Sequence, residues 1–153
     1  LNAVAGGWQV NTIVTVHSGQ PFTPLLGVSS ANTGAARPSV LRDGNLPSDK
    51  RTVNNWFDKT AFYSPAQYLY GDAGRNILIA PGAANVDFST FKRFSLARLR
   101  EATELQVRAE FFNFFNHPQF GTPSNRVDIA QGASITSLST PMRQMQFGVK
   151  LLF

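Results

Sequence analysis

The sequence RQMQFGVKLLF, residues 143–153, alternates apolar and polar side chains almost without interruption. Successive side chains of a β-strand point to opposite faces, so this period of two predicts an amphipathic strand. The polar side of the strand carries glutamine, glycine and lysine, with Leu152 as the only lapse. The apolar side carries Met145, Phe147, Val149, Leu151 and Phe153.

Three further stretches have the same period. Residues 7–17, 86–96 and 104–116 place most of their apolar side chains at alternate positions, with Ile13 as an exception in the first stretch and phenylalanines on both faces at the end of the last. A strand of 11 residues would span about 36 Å, which is far longer than the roughly 5–6 residues of an average strand. Tilted by about 45°, it covers the apolar band of a transmembrane barrel, roughly 25 Å tall. We therefore predict an all-β fold, an antiparallel segment of a transmembrane β-barrel.

The composition excludes several other classes of protein. Charged residues are 15% of the 153 residues, hydrophobic residues are 42%, and there are 13 phenylalanines, which argues against intrinsic disorder. No stretch approaches 18 consecutive apolar residues, so a transmembrane helix is excluded. The absence of cysteine excludes disulfide scaffolds, cysteine-ligated zinc and thiol nucleophiles. The net charge of +5 is scattered along the chain, which argues against nucleic-acid binding.

The predicted connections between the strands differ greatly in length. Residues 97–103 are expected to form a short turn, although the spacing of apolar residues there also fits a short helix. Residues 18–85 and 117–141 are expected to form two long loops. Long loops at one rim and short turns at the other are typical of outer-membrane barrels, in which the long loops are external.

Four strands do not close a barrel, because the smallest outer-membrane barrels have about eight. A four-stranded sheet in hydrocarbon would leave two edges of unpaired backbone groups, each costing several kcal/mol. Residues 1–7 also lack the basic and apolar regions of a signal peptide. We therefore expect this chain to be the C-terminal part of a larger barrel and incomplete in isolation.

A series of short segments carries a family resemblance. In chain order they are GGWQVN (6–11), SGQPF (18–22), NWFD (55–58), AF (61–62), GRN (74–76), PG (81–82), NVDFS (85–89), FKRF (91–94), RAEFFN (108–113), FNHP (115–118) and RQMQFGVKLLF (143–153). Together they resemble the C-terminal end of a TonB-dependent outer-membrane receptor, of the Oar-like subgroup with a carboxypeptidase-regulatory-like domain. The order and spacing of the segments, rather than any one of them, make the resemblance specific.

The resemblance implies a location in the outer membrane and a role in energised uptake or binding of an unidentified substrate. Barrels of this family have 22 strands filled by a plug, and the plug, the signal peptide and the TonB box all lie upstream of the region matched here. The implied partners are outer-membrane lipid, the remaining strands and plug of the receptor, and the barrel-assembly machinery. TonB would be contacted only through the upstream segments. No cofactor is implied.

The last strand has a further interpretation. A final aromatic residue, preceded by apolar residues at every second position, resembles the signal read by the barrel-assembly machinery, whose physical basis is strand addition at an open edge. The alternative is an ordinary amphipathic strand that ends on an aromatic residue. The signal is favoured because the sequence stops at Phe153 without a polar tail. The candidate signal residues are Met145, Phe147, Val149, Leu151 and Phe153.

Two other groups of residues are candidates for contact with solutes. Those on the polar side of the third strand, expected to face the lumen, are Gln106, Arg108 and Glu110. Those in the first long loop, which could stack on a sugar or peptide, are Trp56, Tyr63, Tyr68 and Tyr70. Packing of the loop onto itself is the favoured interpretation of these four aromatic residues, with ligand contact as the alternative.

Aromatic residues near strand ends are expected to form girdles at the membrane interface, or alternatively the core of a soluble barrel. They are Trp8, Phe94, Phe114, Phe115, Phe120 and Phe153. Lys92 fits poorly, because it falls on the apolar side of the second strand, where a charge at mid-bilayer would cost roughly 2–4 kcal/mol. Either its side chain reaches the interface, or a bulge shifts the register at that point.

The sequence offers little support for catalysis. His17 and His117 stand alone, and no metal-binding spacing of histidines occurs. Glu110 lacks an evident second acid, and the glycine-rich residues 71–76 lack the lysine of a phosphate-binding loop. We expect a protein that is not an enzyme. The competing predictions are a porin-like passive channel and a soluble β-barrel or sandwich that binds a small apolar ligand.

Overall fold

Long β-strands dominate the structure, a computed structural model that describes residues 6–34, 36–96 and 103–153. In chain order its strands are β1 (Trp8–His17), β2 (Pro21–Phe22), β3 (Ser39–Val40), β4 (Phe62–Tyr63), β5 (Leu78–Ile79), β6 (Ala83–Ser95), β7 (Glu104–Phe112) and β8 (Gln144–Leu152). Short 3₁₀ turns occupy Ser48–Lys50 and Lys59–Ala61. None of the helical turns in these described ranges has the length and apolar character needed to cross a membrane.

The long strands form one antiparallel sheet in the order β1-β6-β7-β8, and the predicted all-β, antiparallel fold is confirmed. β7 lies inside the sheet and pairs along its whole length with β8, from Glu104 opposite Leu152 to Phe112 opposite Gln144. On its other side β7 pairs with β6 without interruption, from Phe88 opposite Phe111 to Ser95 opposite Glu104. Continuous pairing fixes which side chains share a face, because residues directly opposite each other point the same way.

The strand limits agree with the predicted ones to within one residue except at two places. β6 begins at Ala83 rather than at residue 86, and β7 ends at Phe112 rather than at residue 116. β7 ends early because Asn113 adopts a left-handed conformation, with a φ of 53°. The buried Asn113 amide then donates to the carbonyl of His117 at 2.9 Å and accepts from its N–H at 3.0 Å. The turn predicted at residues 97–103 lies, except for Thr103, outside the described residues.

The segments that link the long strands fold together into a second unit, His17–Ala83 with Phe120–Thr140, which we call the loop unit. The sequence predicted these segments as separate loops. The loop unit has its own small hydrophobic core, in which the ring centroids of Phe57 and Phe62 lie 6.3 Å apart, edge to face. The buried residues of this core are Phe57, Ala61, Phe62, Leu78 and Ala133.

Hydrogen bonds to backbone carbonyls join the two parts of the loop unit. The Leu25 N–H donates to Asn125 at 2.9 Å, and the Val127 N–H donates back to Leu25 at 3.0 Å. The Lys59 ammonium group donates to the carbonyls of Ile129 and Ala130 at 3.0 and 2.9 Å. These bonds satisfy backbone groups of irregular segments that have no long ladder to pair with.

Candidate functional site

The two faces of the large sheet differ in chemistry, as the sequence predicted. The face that we call the polar face includes, on β6 to β8, Ser89, Phe91, Arg93, Gln106, Arg108, Glu110, Gln146, Gly148 and Lys150. The face that we call the apolar face includes Phe88, Thr90, Lys92, Phe94, Leu105, Val107, Ala109, Phe111, Met145, Phe147, Val149 and Leu151. The register therefore brings together residues from three strands that no single stretch of sequence joins.

The candidate lumen residues Gln106, Arg108 and Glu110 all lie on the polar face of β7. Arg108 and Glu110 form an ion pair, with 3.1 Å between the guanidinium nitrogen and the carboxylate oxygen. The side chain of Arg108 is 53% exposed and that of Glu110 is 22% exposed, so solvent screens this pair. The pair orients both side chains along the strand while leaving other guanidinium donors available.

Basic residues are concentrated on this part of the polar face. Arg93 and Lys150 lie directly opposite Gln106 on its two sides. The guanidinium carbons of Arg93 and Arg108 lie 5.7 and 6.0 Å from the ring centroid of Phe91. Two guanidinium groups thus share one aromatic ring, a cation–π arrangement that holds like charges near each other. Phe91 and Lys150 were not among the predicted site residues, because their role depends on the cross-strand register.

Gly148 leaves a depression in the polar face, directly opposite Arg108. The depression has a volume of about 220 Å³ and is lined by Gln106, Arg108, Glu110, Gln146, Gly148, Val149 and Lys150. A Cβ atom placed on Gly148 would meet only the Cβ of Arg108, at 3.9 Å. The depression therefore exists because residue 148 has no side chain, and the space around its backbone would admit a larger residue.

The apolar face is broadly exposed to its surroundings. Phe147 and Val149 on β8 are 71% and 72% exposed, and Leu151 on the same strand is 52% exposed. Large apolar side chains in this number are seldom left exposed on a protein surrounded by water. Near one end of the face, the rings of Phe88, Phe111, Phe114 and Phe147 form a cluster with neighbouring centroids 5.3–6.2 Å apart.

Lys92 lies on the apolar face, and the pairing of β6 with β7 continues through it without a bulge. Its residue surface is only 5% exposed. The ammonium nitrogen lies 4.8 Å from the ring centroid of Trp8 and 5.0 Å from that of Phe94. Of the two explanations offered by the sequence, the register shift is excluded. The charge is instead covered by aromatic rings near the start of β1 and the end of β6.

The predicted girdle residues do not all belong to the large sheet. Trp8 and Phe94 lie near the end of the sheet where β6 stops and β1 begins, whereas Phe114 and Phe115 follow β7 at the opposite end. Phe153 follows β8 and is 89% exposed. Phe120 belongs to the loop unit, where it forms a β-bridge with Leu138, so its expected place at a strand end is wrong.

The aromatic residues of the first long segment have different surroundings. Trp56 is half-buried in the loop unit, where its indole N–H donates to the carbonyl of Ile79 at 2.9 Å. The guanidinium carbon of Arg51 lies 5.5 Å from its ring centroid. Tyr63 lies on β4, opposite Ser39, and remains half-exposed. Packing within the loop unit therefore occupies Trp56 more than it occupies the tyrosines.

Tyr68 and Tyr70 project from the loop unit, with 74% and 76% of their surfaces exposed. Tyr68 adopts a left-handed conformation, with a φ of 68°. Its N–H donates to the carbonyl of Ser30 at 2.7 Å, and the Ser30 hydroxyl donates to the carbonyl of Leu69 at 2.9 Å. These bonds hold the turn that displays the two phenol rings. Their contact with a ligand stays a prediction.

A compact ionic network lies around the second 3₁₀ turn of the loop unit. Arg42 donates to the Asp58 carboxylate at 2.7 Å, and Asp58 also accepts from the N–H and the hydroxyl of Thr60. Desolvation raises the pKa of Asp58, but the hydrogen bonds from Thr60 and Arg42 together outweigh it and hold the pKa below its ordinary value. Hydrogen bonds from the backbone and side chain of Asn45 likewise lower the pKa of Asp43.

In the part of the chain that the structure describes, no three histidine, aspartate or glutamate side chains form a group that could hold a metal ion. His17, which the sequence left as a lone histidine, ends β1. His117, the other lone histidine, follows β7, and its backbone N–H donates to the side-chain oxygen of Asn113.

A family model described as an outer membrane beta barrel domain matches residues 1–146. Neither the curated proteins nor the solved structures provide a match to this sequence.

Proposed function

We propose, because this chain belongs to the outer membrane beta barrel domain family, that it supplies wall strands to a TonB-dependent receptor. Family membership locates the protein in the outer membrane. Receptor function is the finer step and rests on the segments that resemble the C-terminal end of such receptors. In the intact receptor these strands would enclose a path for energised uptake of a substrate whose chemistry the family does not define.

The observation that carries the proposal is the exposed apolar face of the large sheet. Its side chains alternate with a polar face along strands of 9–13 residues, β6, β7 and β8. A strand that crosses a membrane at a tilt needs about 9–11 residues and one lipid-facing side. The apolar face would contact acyl chains, and the polar face would line the interior of the barrel.

The orientation of the sheet across the membrane follows from the direction of its strands. β1 and β7 end, and β6 and β8 begin, at the same end of the antiparallel sheet. Both long connections therefore leave the sheet and return to it at that end. Long connections are external in outer-membrane barrels, so residues 18–85 and 117–141 would lie outside the cell. The exposed Tyr68 and Tyr70 would then be available to an arriving substrate.

A barrel requires further strands beyond the large sheet, because its outer strands β1 and β8 would otherwise present open edges to lipid. The proposed partners are outer-membrane lipid, the remaining wall strands and the plug of the same receptor. The barrel-assembly machinery would recognise the alternating apolar residues of β8 together with the final Phe153. TonB would act only through segments outside this chain. The role is transport without catalysis and without nucleic acid.

The location in the outer membrane removes the alternative of a soluble module that binds an apolar ligand. A passive porin-like channel is the competing proposal, and ion conductance separates the two. The experiment uses the intact protein that carries this chain, reconstituted in a planar lipid bilayer in potassium chloride. A receptor closed by a plug will show almost no conductance until a denaturant loosens the plug. Steady conductance of the native protein would instead identify an open channel.

A further inference from the structure

The polar face carries a group of cations whose positions are set by strand register. Arg93 on β6, Arg108 on β7 and Lys150 on β8 lie within two adjacent cross-strand rows, and all three are exposed. Glu110 is the acidic residue that lines the depression beside them. The local balance is positive, so an anion would gain favourable interactions that the protein alone does not supply.

The depression at Gly148 lies beside these cations and has room for an anion. Lys150 and Arg108 lie at its margin, and the amide groups of Gln106 and Gln146 add further hydrogen-bond donors and acceptors. Its volume of about 220 Å³ is smaller than the roughly 300–1,000 Å³ of pockets that hold drug-sized ligands. Both walls belong to the paired strands β7 and β8, so the depression does not depend on residues outside the large sheet.

We propose that this depression binds a small solute through a carboxylate or phosphate group, held by Arg108 and Lys150. The inference rests on the proposed function, because it requires the polar face to line an aqueous lumen. The occupant is a small acidic molecule rather than an acidic protein segment, since a depression of about 220 Å³ has room for a molecule of the size of citrate but not for a length of polypeptide. Arg93 lies close by, across Phe91, and strengthens the attraction without lining the floor.

Glu110 moderates the site. Its carboxylate pairs with Arg108 at 3.1 Å and so competes with an incoming anion for the same guanidinium group. An anion that binds in the depression must share Arg108 with Glu110, which keeps the affinity low enough for release. Removing the charge of Glu110 should therefore tighten binding, whereas removing the charge of Lys150 should weaken it.

Titration calorimetry on the intact protein in neutral detergent micelles tests this proposal, with citrate as the acidic probe and glycerol as the uncharged control. We expect citrate to bind and glycerol not to bind. Lys150→Gln should weaken citrate binding about fivefold to tenfold, and Glu110→Gln should tighten it by a similar factor. Gly148→Phe should abolish binding, because the ring fills the depression where the backbone has room for a Cβ.

Lys50→Gln is the matched control, because Lys50 is an exposed lysine in the loop unit. It should leave citrate binding unchanged. Failure of the wild-type protein to bind citrate would overturn the proposal, as would equal losses in Lys50→Gln and Lys150→Gln. Each variant is first checked for native migration on gels without heating, so that loss of folding is not read as loss of binding. Conductance in the planar bilayer reports separately on the receptor proposal.

Discussion

Lys92 is the residue that fits a membrane-spanning sheet least well. A cation on a lipid-facing surface costs roughly 2–4 kcal/mol at the bilayer midplane and much less near an interface. The rings of Trp8 and Phe94 cover its ammonium group near one end of the sheet. Tryptophan is enriched at membrane interfaces, which is where this end of the strands would lie. The aromatic cover makes the charge tolerable at that depth.

A double-mutant cycle between Trp8 and Lys92 measures this effect. We expect Trp8→Leu and Lys92→Met to be coupled by about 0.5–2 kcal/mol, the range for a cation held against an aromatic ring. The free energies of unfolding of the wild type, the two single variants and the double variant are measured by urea titration in phospholipid vesicles. Strictly additive effects would show that the ring does not stabilise the charge.

The Asp58 network gives the loop unit a predictable dependence on pH. The pKa of Asp58 is lowered in the folded state, so its ionised bonds add stability at pH values above the ordinary carboxyl pKa. That stability should be lost as the pH falls below about 4, towards the lowered folded value. At pH 7, Asp58→Asn should lower the stability of the loop unit by about 1 kcal/mol, because the bond to Arg42 is partly exposed to solvent.

Fluorescence of Trp56, in a background in which Trp8 and any tryptophan elsewhere in the intact protein are replaced by phenylalanine, follows unfolding of the loop unit in urea at pH 3 and at pH 7. The wild type should lose more stability between these two pH values than Asp58→Asn does. A wild type and an Asp58→Asn variant with the same pH dependence would contradict the role assigned to this carboxylate.

At the scale of elements, β8 offers the sharpest comparison of the two faces. Phe147 and Gln146 are neighbours in the chain but belong to opposite faces, and both are exposed. A lysine at residue 147 would enter the acyl chains at a cost of about 2–4 kcal/mol. A lysine at residue 146 would lie in the lumen, directly opposite Glu110, and should cost almost nothing.

The free energies of unfolding of Phe147→Lys and Gln146→Lys, measured in phospholipid vesicles, test this difference between the faces. The folded fraction is read from migration on gels before and after heating. Equal destabilisation by the two lysines would mean that β8 does not separate lipid from water.

Periodicity in the sequence was sufficient to predict the long strands, because a half-buried strand must alternate its side chains. It was not sufficient to find the end of β7. The run of phenylalanines around Asn113 reads as a continuing strand, and only the left-handed backbone of Asn113 with its bonds to His117 ends it. The candidate residues Arg108 and Glu110 could be assigned to one face by counting. Lys150, Phe91 and Gly148 joined them only through cross-strand register, which a single strand does not encode.

At the scale of the whole molecule, the loop segments were harder to predict than the sheet. Their apolar residues, such as Phe57 and Leu78, follow neither a period of two nor a helical period, yet both are buried in a common core. Ala133 belongs to the second segment and is buried in that core, and the backbone N–H of Trp56 donates to the Ala133 carbonyl at 2.9 Å. Contacts between segments that are distant in sequence decide this unit, and local patterns carry little information about them.

The environment of each β8 side chain, lipid or water, can be measured residue by residue. These 153 residues contain no cysteine, so single cysteines from Gln144→Cys to Leu151→Cys can each carry a spin label in an intact protein from which any cysteine elsewhere has been removed. Collision rates with oxygen, which concentrates in lipid, and with a water-soluble nickel complex are measured in phospholipid vesicles. Labels at residues 145, 147, 149 and 151 should collide mainly with oxygen, and labels at 144, 146, 148 and 150 mainly with nickel. Uniform access to nickel at all eight positions would contradict a membrane wall.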